Sequence, residues 1–348
     1  MTIRMIELDG SLEDMGYAFG QQLADEAHRL SEERYRLCEN AAPGVSRREI
    51  LALAGEHLRA QSALAVHAEF LGIAAGADIA PDELLIGNGL TDFRDVLKGR
   101  APETQGCTSF LVRSGATTDG VTYLGQTWDM HSSAEPFVVA LRRKPKDGPQ
   151  SLTLTTSGCL SLIGMNETGL AIGNNNLVPT DARPGVIYLA MIHDYLSRWD
   201  TVQAQEAITR TPRASGHNYY MSDGQGNVQN IETTACQWAA HRVEAETYAH
   251  ANHYETAQLT PLAMNPPGRN SLERKRRLSD LLAQAAGQID VPRLIEILSY
   301  RKEGDDGSIS RHGSGCTCAA AIMCPERREV WFCQGPPDTG LFRRFTFA

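Results

Sequence analysis

The chain has 348 residues, 42% of them hydrophobic, and a formal net charge of −9 at neutral pH. That length can bury a substantial core as one large domain or two smaller ones, and the acidic balance excludes a basic nucleic-acid surface. The charge is uneven, because residues 1–106 hold 18 acidic and 10 basic side chains whereas the remainder nearly balances.

Met1 to Gly10 lacks the apolar core of a secretory signal and carries Glu7 and Asp9, and no run approaches the length of a membrane span. A cytoplasmic protein without a membrane partner is expected. The eight cysteines sit in an otherwise ordinary chain, so reduced thiols are expected rather than bridges. Ser11 to Asn40 and Ser46 to Gly76 read as helices from their 3.6-like apolar spacing, and Ser46 with Glu49 forms a capping-box pattern. Near Pro102 the chain changes character.

From Cys107 to Leu177 short runs (FLV, VTYLG, FVVAL, SLTLTT, LAIGNN) divided by Gly, Pro and Asp-Gly turns read as strands. Helices are expected at Val186 to Arg198 and Val202 to Thr209. Strands return between His217 and Tyr254, with a turn at residues 222–226. Asn270 reads as the cap of a helix whose apolar face is Leu278, Leu281, Leu282 and Ala285, with the run Arg274 to Arg277 as its solvated face. A last hairpin joins Cys316–Met323 to Glu329–Cys333. Two blocks of strands with helices around them suggest stacked sheets covered on the outside, an α+β arrangement.

The chemically pointed feature is Gly106-Cys107-Thr108-Ser109, followed by Gly125-Gln126-Thr127-Trp128-Asp129. A chain cut before Cys107 would expose a thiol beside its own α-amino group. Such amines titrate near pH 8, so one residue would supply both nucleophile and base. The competing reading is a buried strand thiol. Asp129 stands at the end of what reads as the next strand, where a hairpin returns its carboxylate to the neighbourhood of residue 107. There it would hold the new ammonium or a cationic substrate group; otherwise it is a turn aspartate.

Together these motifs resemble the family of acyl-CoA:6-aminopenicillanic acid acyltransferase (isopenicillin N acyltransferase), among the cysteine-type N-terminal-nucleophile (Ntn) hydrolases. The likeness continues in Gly164 to Leu170, in Asn174-Asn175-Asn176-Leu177, in Ala251-Asn252-His253-Tyr254, in Ser271 to Leu278 and in Ser308 to Arg311. It also includes the glycines at 10, 16 and 20. The resemblance implies a four-layer αββα sandwich with Cys107 as nucleophile and Gly106–Cys107 as the cleavage site. It implies Asp129 at the nucleophile and Asn176 as an oxyanion donor, with Asn175 as competitor. Asn252 corresponds to the second polar residue of the site, and Ser310 and Arg311 to a pair binding a substrate carboxylate. Asp305-Asp306-Gly307 and His312-Gly313 depart from the penicillin enzyme around that pair, so its substrate preference does not carry over.

The expected organisation is an N-terminal helical segment 1–106 and an Ntn catalytic region 107–348, which stay associated as two chains of one compact unit after self-cleavage. The expected activity is hydrolysis of a small N-acyl amine or N-acyl amino acid through a Cys107 thioester. The alternatives are an acyl-CoA-dependent N-acyltransferase and an unprocessed, non-catalytic binding protein. No cofactor is implied, with acyl-CoA only as a cosubstrate of the transferase, and homo-oligomerisation stays open. Zinc at Cys316, Cys318, Cys324 and Cys333 is disfavoured by their spacing. His250 and His253 are disfavoured as a metal pair because residues three apart on a strand point to opposite faces. Gly224-Gln225-Gly226 lacks the strand and helix of a dinucleotide loop.

Overall fold

The structure is a computed structural model describing residues 2–99, 106–241, 243–304 and 306–347. Pro102 and Asp305 lie outside the described residues.

The N-terminal part opens with strand β1 (Arg4–Gly10), followed by α1 (Leu12–Gln22), α2 (Ala24–Ala41), α3 (Arg47–Gln61) and α4 (His67–Ala77). Two short helices, α5 (Pro81–Asn88) and α6 (Leu90–Val96), complete it. Each of the two long helices read from the sequence is divided. Leu23 leaves the helical region (φ −125°, ψ 26°) while its N–H bonds the carbonyls of Phe19 and Gly20, and this splits α1 from α2. Ser46 and Glu49 make the expected capping box. Glycines 16 and 20 face α4 so closely that a Cβ at Gly16 would stand 2.1 Å from the Glu69 carbonyl oxygen, which accounts for small residues on this face of α1.

Beyond the junction come β2 (Gly106–Val112), β3 (Tyr123–His131), β4 (Val138–Pro145), β5 (Ser151–Thr156), β6 (Ile163–Asn166) and β7 (Ala171–Leu177). Helices α7 (Tyr188–Leu196) and α8 (Thr201–Thr209) lead to β8 (Gly216–Ser222), β9 (Val228–Thr233), β10 (Trp238–His241) and β11 (Thr247–His250). The chain closes with α9 (Arg269–Ala285), α10 (Val291–Leu298), β12 (Gly315–Cys324), β13 (Glu329–Gln334) and β14 (Arg343–Thr346).

The strands form an eight-stranded sheet, β1-β4-β5-β6-β7-β8-β9-β10, and a six-stranded sheet, β11-β2-β3-β12-β13-β14. The sheets lie face to face. Ser109 of β2 donates to Asn175 of β7, and Tyr220 of β8 donates to Gln126 of β3. Helices α9 and α10 cover the outer face of the six-stranded sheet, where Phe110 and Val112 pack with Leu278, Leu282, Leu294 and Leu298. Helices α1 and α7 lie against the other sheet. This is the expected αββα sandwich.

Three local readings are corrected. The N-cap of α9 is Gly268; Asn270 is inside the helix, its Oδ1 accepting from Arg274 Nε at 2.9 Å. Arg274 is 1% exposed, so the first arginine of the run belongs to the buried face rather than the solvated one. His250 and His253 do not diverge either: β11 ends at His250, and the two rings stack with centroids 6.1 Å apart. Among the described residues no His, Cys, Asp and Glu group could hold a metal ion, and no helix is long and apolar enough to cross a membrane.

Candidate active site

Strand alternation sorts the residues around Cys107. In the β2–β3 ladder Gly106 pairs with Asp129 and Cys107 with Trp128. Cys107, Ser109, Gln126 and Trp128 therefore point between the sheets, whereas Thr108 and Asp129 point outward toward α9 and the loop before β12. The hairpin thus returns Asp129 to the junction, on the face opposite the thiol.

The backbone at the junction is held from outside. The Cys107 N–H donates to Asn252 Oδ1 at 2.9 Å. Arg274 Nη1 donates to the Cys107 carbonyl oxygen at 2.6 Å and to Thr108 Oγ1 at 2.5 Å, while its Nη2 reaches Asn252 Oδ1 at 2.9 Å. Asn252 is fixed in turn by donating through Nδ2 to the Asn176 carbonyl oxygen (3.0 Å) and through its N–H to Ser271 Oγ (2.8 Å). A Cβ at residue 106 would lie 2.5 Å from Asn252 Oδ1 and 2.7 Å from Arg274 Nη2. Only glycine fits before the cysteine.

Asp129 is buried and accepts from Thr317 Oγ1 at 2.7 Å, with Arg311 Nη1 3.5 Å from its other oxygen. Burial raises its pKa, opposed by the charges of Arg274 and Arg311. Thr317 and Arg311 clasp each other, since the Arg311 N–H donates to Thr317 Oγ1 and the Thr317 N–H to the Arg311 carbonyl, both at 3.0 Å. Ser310 lies next to them, but its hydroxyl is bonded to Asp338.

On the inner face Cys107 is buried, with 6% of the residue exposed. Burial pushes its pKa up to about 12, and the Asp129 carboxylate adds to the effect; Arg274, the Asp129 backbone and the Gln126 amide oppose it. Asn175 Oδ1 accepts from Ser109 Oγ (2.7 Å) and Asn218 Nδ2 (3.0 Å), which leaves its own buried Nδ2 without a partner. Asn176 is the neighbour that meets Asn252 through its carbonyl, and its Oδ1 is likewise buried and unpartnered. The structure therefore gathers Gly106, Cys107, Asp129, Asn175, Asn176, Asn252 and Arg311 around one strand end, with Ser310 at the edge of that group. Arg274, Gln126 and Thr317 are the site residues that the sequence reading did not assign. Arg274 lies four residues before Leu278 on the helix stripe Ser271, Arg274, Leu278, Leu282, Ala285, so helical periodicity was the signal for it.

Solved structures with a similar arrangement include a mutant of conjugated bile acid hydrolase from Clostridium perfringens, at 13% identity and a TM-score of 0.45 over 70% of this chain and 97% of that one. Penicillin V acylase from Agrobacterium tumefaciens is similar at 15% identity and a TM-score of 0.47, over 69% of this chain and 86% of that one. No curated protein matches. The family model described as acyl-coenzyme A:6-aminopenicillanic acid acyl-transferase matches residues 116–339, well over half of the sequence, beginning just after the β2 strand that carries Cys107. The chain belongs to the acyl-coenzyme A:6-aminopenicillanic acid acyl-transferase family.

Proposed function

We propose that the protein is a self-processing cysteine amidohydrolase that cleaves a small N-acyl amine or N-acyl amino acid. The observation that carries this reading is the clamp on the Gly106–Cys107 bond, with Asn252 and Arg274 holding the backbone on both sides of the Cys107 Cα and Asp129 paired across from Gly106. In the intact chain, Cys107 Sγ attacks the Gly106 carbonyl carbon, the C–N bond breaks, and the acyl group passes to sulfur as the nitrogen leaves as an amine. Water then hydrolyses the thioester, giving a Gly106 carboxylate and a free thiol. The bonds to Cys107 N and O keep this peptide fixed while it is attacked.

In the processed enzyme the Cys107 amine takes the proton from its own thiol, and the thiolate attacks a substrate amide. Asn252 Oδ1, already the acceptor for Cys107 N, orients the amine with its lone pair toward sulfur, and the Asp129 carboxylate balances the charge it gains. The oxyanion needs a neutral donor fixed in advance, and the spare Nδ2 of Asn175 on the thiol's side of the sheet fits that need. Collapse expels the amine and leaves an acyl-thioester for water. Residues 1–106 and 107–348 act as two associated chains of one unit, acting in the cytoplasm without a bound cofactor.

Intact mass and N-terminal sequencing test the reading. Two chains of about 12 and 26 kDa are expected, with the larger beginning at Cys107 and Cys107→Ala remaining whole. Fully active enzyme carrying only the Met1 terminus would overturn it. The family match favours one second reading, transfer of an acyl group from CoA to an amine. Varying amine concentration separates the two, since a hydrolase releases acid at full rate without CoA whereas a transferase requires the CoA thioester and diverts product to the new amide.

A further inference from the structure

The strand that grips Asp129 is irregular at the point of contact. β12 runs antiparallel to β3 with Thr317 directly opposite Asp129, and the register then slips between Thr317 and Ala319, which leaves Cys318 as an extra residue. Such a bulge bends one strand and re-aims the side chains beside it, and bulges gather next to active sites. Cys318 packs in the main core with Cys316, their sulfurs 3.7 Å apart, and its Sγ donates to the His131 carbonyl oxygen at 3.5 Å. Thr317 faces the opposite side, with Asp129.

Thr317 is completely buried. Its hydroxyl oxygen accepts from the Arg311 N–H at 3.0 Å, so the hydroxyl proton is left to be donated. Asp129 Oδ1 takes it at 2.7 Å, and the Ile309 carbonyl oxygen, at 3.4 Å, is the poorer acceptor. A donor so placed suits an ionised carboxylate, which can only accept. Burial raises the Asp129 pKa, and this hydrogen bond works against burial, after the charges of Arg274 and Arg311.

Orientation is fixed as well as charge. Asp129 is the middle of a row across three strands, with Gly106 of β2 on one side and Thr317 of β12 on the other. Thr317 Oγ1 is nearer to the carboxylate than Arg311 Nη1, which stands 3.5 Å from Oδ2. A threonine is β-branched and stiff at χ1, and this one is tied through both its hydroxyl oxygen and its N–H to the backbone of Arg311. The carboxylate therefore follows the hydroxyl rather than the reverse.

We propose that Thr317 is a positioning residue for the chemistry at Cys107: its bond to Oδ1 sets the orientation of the Asp129 carboxylate opposite Gly106, where that carboxylate balances the charge gained by the Cys107 amine. The role rests on the reading of Asp129 as the charge partner of that amine. Thr317 touches no reacting atom, so its whole effect passes through Asp129, and a double-mutant cycle on the two residues isolates it. The readout is the second-order rate at which iodoacetamide alkylates Cys107 in processed enzyme at pH 7, followed by the mass of the peptide that begins at Cys107. That rate reports how readily the thiol passes its proton to the amine, and it needs no knowledge of the substrate.

Thr317→Val, matched in shape but without the hydroxyl, should slow alkylation about fivefold or more, and should cost no more than about twofold further when Asp129→Asn is already present. Thr317→Ser keeps the hydroxyl and should stay within about twofold of the parent. A loss that persists in full in the Asp129→Asn background would make Thr317 a structural residue only, and so would a Ser variant as slow as the Val variant. Where Thr317→Val does not fold or process, Thr317→Ala takes its place in the cycle with the same outcomes. If Asp129→Asn alone leaves the rate unchanged, the reading of Asp129 fails and the role of Thr317 falls with it. If Asp129→Asn is impaired while Thr317→Val matches the parent, the positioning role alone is refuted.

Discussion

Arg274 donates to the carbonyl oxygen of Cys107 at 2.6 Å across the interface between α9 and β2, and through Asn252 it also touches the group that receives the Cys107 N–H. One buried guanidinium thus fixes the residue at which the chain is proposed to open. Replacing it with Gln removes the fork that serves four acceptors, the Cys107 carbonyl, Thr108 Oγ1, Asn252 Oδ1 and Asn270 Oδ1. Arg274→Gln is expected to slow self-processing at least tenfold, with Arg274→Lys intermediate, as followed by the appearance of the two bands on a denaturing gel. Processing at the parental rate in Arg274→Gln would show that the clamp is dispensable.

Gly106→Ala probes the same clamp from the other side. The added methyl would need the space held by Asn252 Oδ1 and Arg274 Nη2, both pinned by further hydrogen bonds. The mass spectrum should show the intact 38.1 kDa chain long after the parent has divided. Alanine tolerated at the parental rate would mean that these side chains yield more readily than their bonding suggests.

The buried thiol sets a pH dependence. With its pKa pushed up to about 12, Cys107 is protonated at neutral pH in the intact chain, and below that value its thiolate fraction grows tenfold with each unit of rising pH. The first-order rate of processing should therefore climb with a slope near one in log rate against pH between 6 and 9. A flat profile would point to attack by a thiol whose proton leaves to a neighbouring base.

Much of this site was legible in the sequence because its residues are tied to strand ends and turns. The β2–β3 hairpin followed from alternating runs around a turn, and its register alone brings Asp129 opposite Gly106. The last hairpin, β12 to β13, was equally clear. Arg274 was hidden for a physical reason: a basic run on a helix is usually solvated, and only its periodic match to Leu278 and Leu282 betrays that its first member is buried. The break at Leu23 was missed because its flanking residues all favour helix, so that tertiary packing decides where the helix stops.

Asp129→Asn keeps the shape of the side chain and removes its charge. In processed enzyme it should lower turnover or substrate affinity at least tenfold, about 1.4 kcal/mol. Unchanged steady-state kinetics would assign Asp129 to holding Thr317 and Arg311 alone.

Away from the site, Glu69 on α4 is fully buried between Arg143 (2.7 Å) and His193 (3.0 Å). Burial alone would raise its pKa, but its interactions with Arg143 and His193 outweigh it and bring it down to about 2 from an ordinary 4.5. A depressed carboxylate contributes stability that is complete above its unfolded value and drains away as the pH falls through its folded value. The pair should contribute about 3 kcal/mol near neutrality, fading between pH 4.5 and 2. Urea unfolding of Glu69→Gln should therefore differ widely from the parent at pH 7 and much less at pH 3. An equal gap at both values would remove the ion pair from the account.

Strand β1 lies parallel to β4 along seven register pairs, from Arg4↔Val139 to Gly10↔Pro145, so the two sides of the proposed cut share one seam of backbone hydrogen bonds. While the chain is whole, the peptide tether keeps the partners of that seam at a high effective concentration, and a molecule that opens can close again alone. Once the tether is gone, an opened molecule becomes two bodies that must meet by collision, and the odds of return depend on dilution. Maturation at Cys107 would thus leave the folded contacts intact while making complete unfolding, in a dilute cell extract, close to a one-way exit.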